Sequence, residues 1–192
     1  MPLIRNGRLA EDRYVRALDD APIPEATAVI VPAARLLADA DELSQRNAPT
    51  GVLWPNDRRV AELAPLLDRL SLVALVFPKF KDGRAYTQAR QLRERYGFRG
   101  ELRATGEILR DQFLFLDRAG FDAFEVKKEA DARSFAEASN RYSVFYQQTG
   151  DGRPTALRAR LARARAAVPS GRAPAWSPRS PIPQFSDLNQ GR

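Results

Sequence analysis

A chain of 192 residues with 44% hydrophobic content is long enough to bury the core of one domain with appendages. It holds no Cys and no His, and Met1 is its only Met, which excludes thiol redox chemistry, Cys-ligated iron–sulfur clusters, His-ligated haem and most zinc sites from its own side chains. The net charge of +7 is concentrated at one end: residues 151–192 carry eight Arg against Asp151 and Asp187, or +6, so residues 1–150 carry +1 and polyanion binding belongs to the tail rather than the body.

Any acid–base chemistry is left to carboxylates, Lys, Arg, Tyr, Ser or Thr, or to a bound cofactor of unknown kind; carboxylate-held Mg²⁺ stays open. The low sulfur content suits a protein made when sulfur is scarce, although Arg outnumbering Lys 27 to 4 also fits a GC-rich genome. No apolar run reaches the ~18 residues of a membrane span, and the N-terminus lacks a signal-peptide core. A soluble, cytoplasmic protein that does not enter the membrane is expected.

In chain order, Asn6-Gly7 between Leu3-Ile4 and Leu9 predicts an N-terminal hairpin acting as a brace. Residues 17–26, with two prolines, read as a linker. Thr27–Val31 is a short apolar run ended by Pro32, as in a strand covered on both faces. A helix follows over Leu36–Gln45, a second strand over Gly51–Trp54, and a second helix over Arg59–Leu70 that Pro65 should kink or divide. Leu72–Phe77 is the third strand. Asp82 is placed to cap the next helix, whose inner face is Ala85, Ala89, Leu92 and Tyr96, and Gly97-Phe98 ends it. Glu101–Thr105 is the fourth strand, and Glu107–Ala119 a helix whose run Phe113-Leu114-Phe115-Leu116 predicts cover on two sides. Phe121–Val126 is the fifth strand and Asp131–Gln148 the last helix of the body.

Alternating strands and helices predict an α/β fold of βαβ units with a mostly parallel sheet of about five strands, either a partial barrel or an open sheet. The body is assigned to residues 1–150. Beyond it, Arg153–Val168 reads as a basic helix with Leu157, Leu161, Ala164 and Val168 on one stripe, and residues 169–192, with five prolines, as a disordered tail in which Trp176 and Phe185 could anchor a partner.

Ligands of parallel α/β folds bind beyond the carboxyl ends of the strands. That rule selects Lys79, Lys81, Asp82 and Arg84 after the third strand, Thr105 and Gly106 after the fourth and Glu125 at the end of the fifth. The fourth strand also alternates Glu101, Arg103 and Thr105 on one face, where a covered strand should be apolar. Either that face is a solvated flank or carries structural ion pairs, or Glu101, Arg103, Glu125 and Lys79 share a polar pocket, since a buried charge needs a partner. Lys79, Arg84 and Arg103 would favour a small anion or a phosphate group. The sequence contains no phosphate-binding glycine loop, no G-x-G-x-x-G, no serine elbow and no H-E-x-x-H metal pair.

The segments FPKFKDGRAYTQARQLRER, GELRATGEILRDQF and RAGFDAFEV resemble a bacterial family of unknown function numbered 934, over about Ile4 to Gln147. The resemblance implies a place in assimilatory sulfur metabolism beside sulfite reductase or phosphoadenylylsulfate reductase, as an oxidoreductase or an accessory protein of sulfite reduction. Many members carry Cys at the position of Ala119, so the Ala here argues against an essential thiol at that position. The tail beyond Gly150 lies outside the family pattern. Three expectations result: an accessory protein binding a small anion or a reductase partner; a cofactor-dependent oxidoreductase whose cations hold a cofactor phosphate; and, more weakly, polyanion binding through the tail.

Overall fold

The computed structural model describes residues 1–5, 7–17, 21–140, 142, 144–149 and 153–166. The proline-rich tail, with Trp176 and Phe185, lies outside the described residues.

The architecture is a curled open sheet of eight strands with helices on its outer face. The hairpin pairs β1 (Leu3–Arg5) with β2 (Arg8–Ala10), Leu3 opposite Ala10 and Arg5 opposite Arg8, and Gly7 supplies the positive φ of +75°. β3 (Val15–Arg16) and β4 (Val29–Pro32) are parallel, followed by α1 (Ala33–Ala38), α2 (Ala40–Ser44) and β5 (Thr50–Trp54). A 3-10 helix, Val60–Arg69, leads to β6 (Leu72–Phe77). Next come α3 (Arg84–Arg90), which widens into a π turn over Gln91–Arg95, and β7 (Glu101–Gly106). After a single 3-10 turn, α4 (Phe113–Ala119), β8 (Ala123–Glu125), α5 (Asp131–Asn140) and α6 (Ala156–Ala166) complete the order.

Strands β3 to β8 are all parallel and lie side by side in chain order, and the hairpin adds to β8 antiparallel, with Leu3 opposite Glu125. The α/β class and the five βαβ strands agree with expectation. The count is eight because the expected hairpin joins the sheet through β1 and β8, and because β3, with two residues, is too short to carry a periodic signal.

The curl follows from one contact. β3 and β8 are five strand spacings apart, about 24 Å in a flat sheet at ~4.8 Å per strand. Yet Arg16 on β3 reaches Glu125 on β8 at 2.5 Å and Thr105 on β7 at 3.2 Å. No arginine spans that gap, so the sheet bends into a half-barrel and its distant strands face each other across the concave side.

The two faces differ in chemistry. Val29, Val31, Val52, Trp54, Val73, Leu75, Phe77, Leu102, Ala104 and Phe124 point outward into the main core, against Leu36, Ala85, Ala89, Leu92, Phe113, Leu116 and Phe135 of the helices. Burying these side chains supplies the main driving force for the fold. On the concave side Ile30, Leu72 and Ala74 make a small apolar cluster beneath Tyr14 and Leu53, and β7 and β8 contribute charge. Among the described residues, no helix residue joins that cluster. The chain segment 11–16 covers the concave face instead.

Several local expectations are corrected. The helix expected over 36–45 is two short ones broken at Asp39 (φ −107°, ψ 26°). Pro65, which has no N–H to donate, neither kinks nor divides its segment, which winds as one 3-10 helix. Gly83, not Asp82, is the capping residue of α3, while the Asp82 carboxylate accepts the Arg84 amide at 3.2 Å. The helix expected from Glu107 starts at Phe113 after the 3-10 turn Arg110–Gln112. The last helix of the body ends at Asn140.

In α4, Phe113 and Leu116 are buried, but Phe115 is 64% exposed, so the run is covered on one side only. Accordingly Phe115→Ser should change stability by no more than about 0.5 kcal/mol, whereas Phe113→Ala should cost about 3–5 kcal/mol. Urea denaturation midpoints of the two variants check the contrast.

Candidate functional site

The concave face of β7 carries a charged cluster. Residues 101, 103 and 105 point to the same side because strand side chains alternate, and Thr105 stands beside Glu125 of the adjacent parallel strand. Arg103 is wholly buried, and its guanidinium is fully engaged. It bonds Asp12 through both terminal nitrogens (2.7 and 3.1 Å), Glu101 through Nε (2.9 Å) and Glu125 (3.3 Å). Thr105 Oγ1 donates to Glu125 at 2.6 Å, and Arg5 of β1 pairs with Glu101 at 2.6 Å. With the Arg16–Glu125 pair, three arginines meet three carboxylates, so the cluster is formally neutral. The Tyr14 ring lies 5.6 Å from the Arg103 guanidinium, and the Tyr14 hydroxyl bonds Ser71 Oγ at 3.1 Å.

The sequence left a solvated edge, structural ion pairs and a shared pocket open for the polar face, and the contacts are those of a structural ion-pair cluster. Glu101, Arg103, Thr105 and Glu125 come together. Lys79, Asp82 and Arg84 form a separate group in the loop beyond β6: Arg84 pairs with Asp82 at 2.7 Å, and Lys79 is exposed. The separation has a simple cause. Arg103 sits opposite Ala74 on the concave side of the strand pair, while the chain leaves β6 at Phe77, which faces the helices.

Asp12, Arg16 and Arg5 were not foreseen. Asp12, Tyr14 and Arg16 recur at every second residue, a strand-like spacing that places all three on one side and was the available signal.

The electrostatics follow from these contacts. For Asp12, burial would raise the carboxyl pKa, but the Arg103 hydrogen bond, the Tyr14 amide and the charges of Arg103 and Arg5 outweigh it and hold it below its ordinary value. For Arg103, burial works against the charge, and the Asp12 and Glu101 carboxylates more than restore it, raising its pKa. The Asp82 carboxyl is held far below the usual range, chiefly by the Arg84 guanidinium. Burial pushes the Tyr86 hydroxyl up to about 12.

A lowered pKa in the folded state means that Asp12 contributes stability above the ordinary aspartate pKa and loses it as the pH falls through its folded value. Unfolding midpoints should therefore decline below about pH 4. Asp12→Asn should be less stable than the parent at pH 7 and should lose less on acidification. Equal slopes for the two proteins would contradict this role.

Residues 51–157, more than half of the chain, match the profile of the family described as "Bacterial protein of unknown function (DUF934)". The chain belongs to this family. No curated protein matches the chain. The DUF934 match runs from β5 to the start of α6, later at both ends than the motif resemblance, and so includes residues 151–157. It contains Glu101, Arg103, Thr105 and Glu125, whereas Arg5, Asp12 and Arg16 precede it. α6 begins inside the match and is tied to the body by Arg153–Asp117 at 2.5 Å and a bridge between Phe145 and Thr155.

Two clefts flank β7 and β8. A cavity of about 450 Å³ lies beyond their carboxyl ends, where Arg110, Lys127 and Lys128 meet Ile108, Leu109 and Phe113. A larger one of about 620 Å³ lies at the amino ends, beside Arg93. Arg93 there donates to the carbonyls of Phe98, Gly100 and Gly120 and to Asp122, a brace for the chain rather than a free cation. Among the described residues, no helix is long and apolar enough to cross a membrane.

Proposed function

We propose that this DUF934 protein is a cytoplasmic accessory protein of assimilatory sulfate and sulfite reduction that binds a small anion or a reductase partner. The sulfur assignment is drawn from the motif resemblance, and the absence of Cys and His fits a protein that positions a substrate rather than carrying electrons on its side chains. The observation that carries the binding role is the Arg103–Asp12 pair. A buried guanidinium presents two parallel N–H groups to a carboxylate held on a covering segment, and sulfite or sulfate offers a comparable two-oxygen edge. An anion that displaced Asp12 would lift residues 11–14 from the concave face while β3 stays paired with β4. The exposed Phe115 beside Leu114 offers a separate contact for a partner such as sulfite reductase or phosphoadenylylsulfate reductase.

Thermal unfolding with sulfite, sulfate and adenylylated sulfate tests the ligand half. A concentration-dependent rise in midpoint is expected, and an unchanged midpoint with all three refutes it. Growth of a deletion strain on sulfate as sole sulfur source tests the pathway half, and growth at the parental rate would remove it.

A second reading, a cofactor-dependent oxidoreductase, is favoured by the cavity of about 450 Å³ beyond β7 and β8, where Lys128 would receive a cofactor phosphate, joined by Arg110 and Lys127 if the phosphate displaced their partners Asp131 and Glu107. A flavin absorption band in the purified protein would support it, and failure to bind nicotinamide or flavin nucleotides would count against it. The weaker polyanion reading draws on Arg158, Arg160, Arg163 and Arg165, all exposed on α6. Converting the four to Gln should then abolish salt-sensitive binding to a nucleic acid.

A further inference from the structure

Helix α6 has 11 residues, and none of them is buried. Leu157 and Leu161 are 67% and 52% exposed, one turn apart, with Ala164 on the same stripe. Helical spacing places Arg158 and Arg165 along one side of that stripe and Arg160 along the other. An isolated helix shorter than about 12–15 residues is marginal in water, and such helices are stabilised in proteins by packing an apolar face. The leucine stripe of α6, edged by arginines, therefore needs a partner surface.

A matching surface lies on the body. Between α4 and α5 runs a groove of about 410 Å³, lined by Leu114, Phe115 and Tyr142 and carrying Asp111 from the turn before α4 and Glu137 from α5. Phe115 and Tyr142 are both exposed. Arg110, which also lines the groove, is paired with Asp131 at 2.5 Å, whereas no ion pair among the described residues engages Asp111 or Glu137. The helix is apolar and cationic with no acidic residue of its own, and the groove is apolar with two unpaired carboxylates. Apolar fit and opposite charge are what a groove uses to take up an amphipathic helix.

The Tyr142 ring centre lies 6.5 Å from that of Phe145, which bridges to Thr155, so α6 starts near one end of the groove. Its exit is fixed there: the Ala156 amide donates to the Phe145 carbonyl at 2.7 Å, and Arg153 pairs with Asp117. With that exit, no α6 residue lines the groove of its own chain. We propose that the occupant is α6 of a second copy. Two copies related by a two-fold axis exchange helices, each laying Leu157 and Leu161 onto Phe115 and Tyr142 while its arginines meet Asp111 and Glu137. The proposal does not rest on the sulfur reading; a reductase docked at Phe115, or a nucleic acid on α6, would compete with the exchange.

Sedimentation equilibrium on the full chain tests it. The parent should reach twice the 21.5 kDa of one chain by about 100 μM. Two variants, Leu157→Ser with Leu161→Ser in the helix and Phe115→Ser with Glu137→Lys in the groove, should each dimerise at least about tenfold more weakly. All four side chains are exposed, so neither variant should alter the unfolding midpoint of the body. Because the chain has no Cys, introduced thiols are unique: Ala164→Cys chains mixed with Ser134→Cys chains should be joined by a short bismaleimide, and the two Leu→Ser changes should abolish the product. A parent that stays monomeric at about 100 μM overturns the proposal and leaves α6 to a polyanion or a different acidic protein. A dimer that survives either variant overturns it too, since the copies would then meet through another face.

Discussion

Arg103→Met should cost about 3–5 kcal/mol of folding stability, the scale for breaking a buried ion-pair network by removing one partner. The variant leaves Asp12, Glu101 and Glu125 facing one another with the guanidinium gone, and Glu125 is almost fully buried. Arg5 and Arg16 would still neutralise part of that charge from the rim. Arg103→Lys keeps the charge but not the planar fork, so it should recover only part of the loss. Urea denaturation at pH 7 measures both variants. In a double-mutant cycle, Asp12→Asn should cost about 2 kcal/mol in the parent and close to nothing once Arg103 is Met. A loss below about 1 kcal/mol for Arg103→Met would mean that the cluster is dispensable.

Gly106→Ala should be at least as damaging, by a different mechanism. Gly106 ends β7 at φ +98°, and an added Cβ would sit 2.4 Å from the Phe77 carbonyl oxygen of the neighbouring strand. That oxygen also accepts the Glu107 amide at 2.8 Å. The obstacle is backbone, which cannot rotate away as a side chain can, so β6 and β7 must separate at their carboxyl ends. A loss of about 3 kcal/mol or more is expected, from overpacking added to a strained φ. Gly83→Ala is the internal control, because a Cβ there meets nothing within 4 Å. Similar midpoints for the two variants would refute the mechanism.

These two positions also separate what could be read early from what could not. Four of the strands from Val29 to Glu125 were legible as short apolar runs bounded by turn residues, β7 being the polar exception, and the helices between them because Ala85, Ala89 and Leu92 recur at helical spacing. Helix ends were less legible. Whether a segment containing Pro65 bends or tightens into a 3-10 helix depends on what packs against it, and Val60, Leu63 and Leu67 are all buried here. The open side of Phe115 was misjudged for a related reason: composition reports how apolar a run is, and not whether a second layer exists to cover it.

The candidate site was half legible. Glu101, Arg103 and Thr105 stood out as charge and polarity on a strand that should be apolar, and Glu125 by its position at a strand end. Their partners could not be found the same way. Asp12 is 91 residues from Arg103 in the chain and Arg16 is 109 from Glu125, and strand pairing over such distances leaves no local mark.

The sequence by itself determined the α/β class, a mostly parallel sheet built from local βαβ units, the lack of thiol and imidazole chemistry, and the demand that Arg103 be paired. All four follow from residue type and short-range spacing. The tertiary structure alone decided that the sheet curls until β3 faces β8, that residues 11–16 close over the concave side, and that Lys79 and Arg84 stand apart from Arg103. Curvature accumulates from small twists over many strands, and the sum becomes visible only when distant side chains such as Arg16 and Glu125 meet.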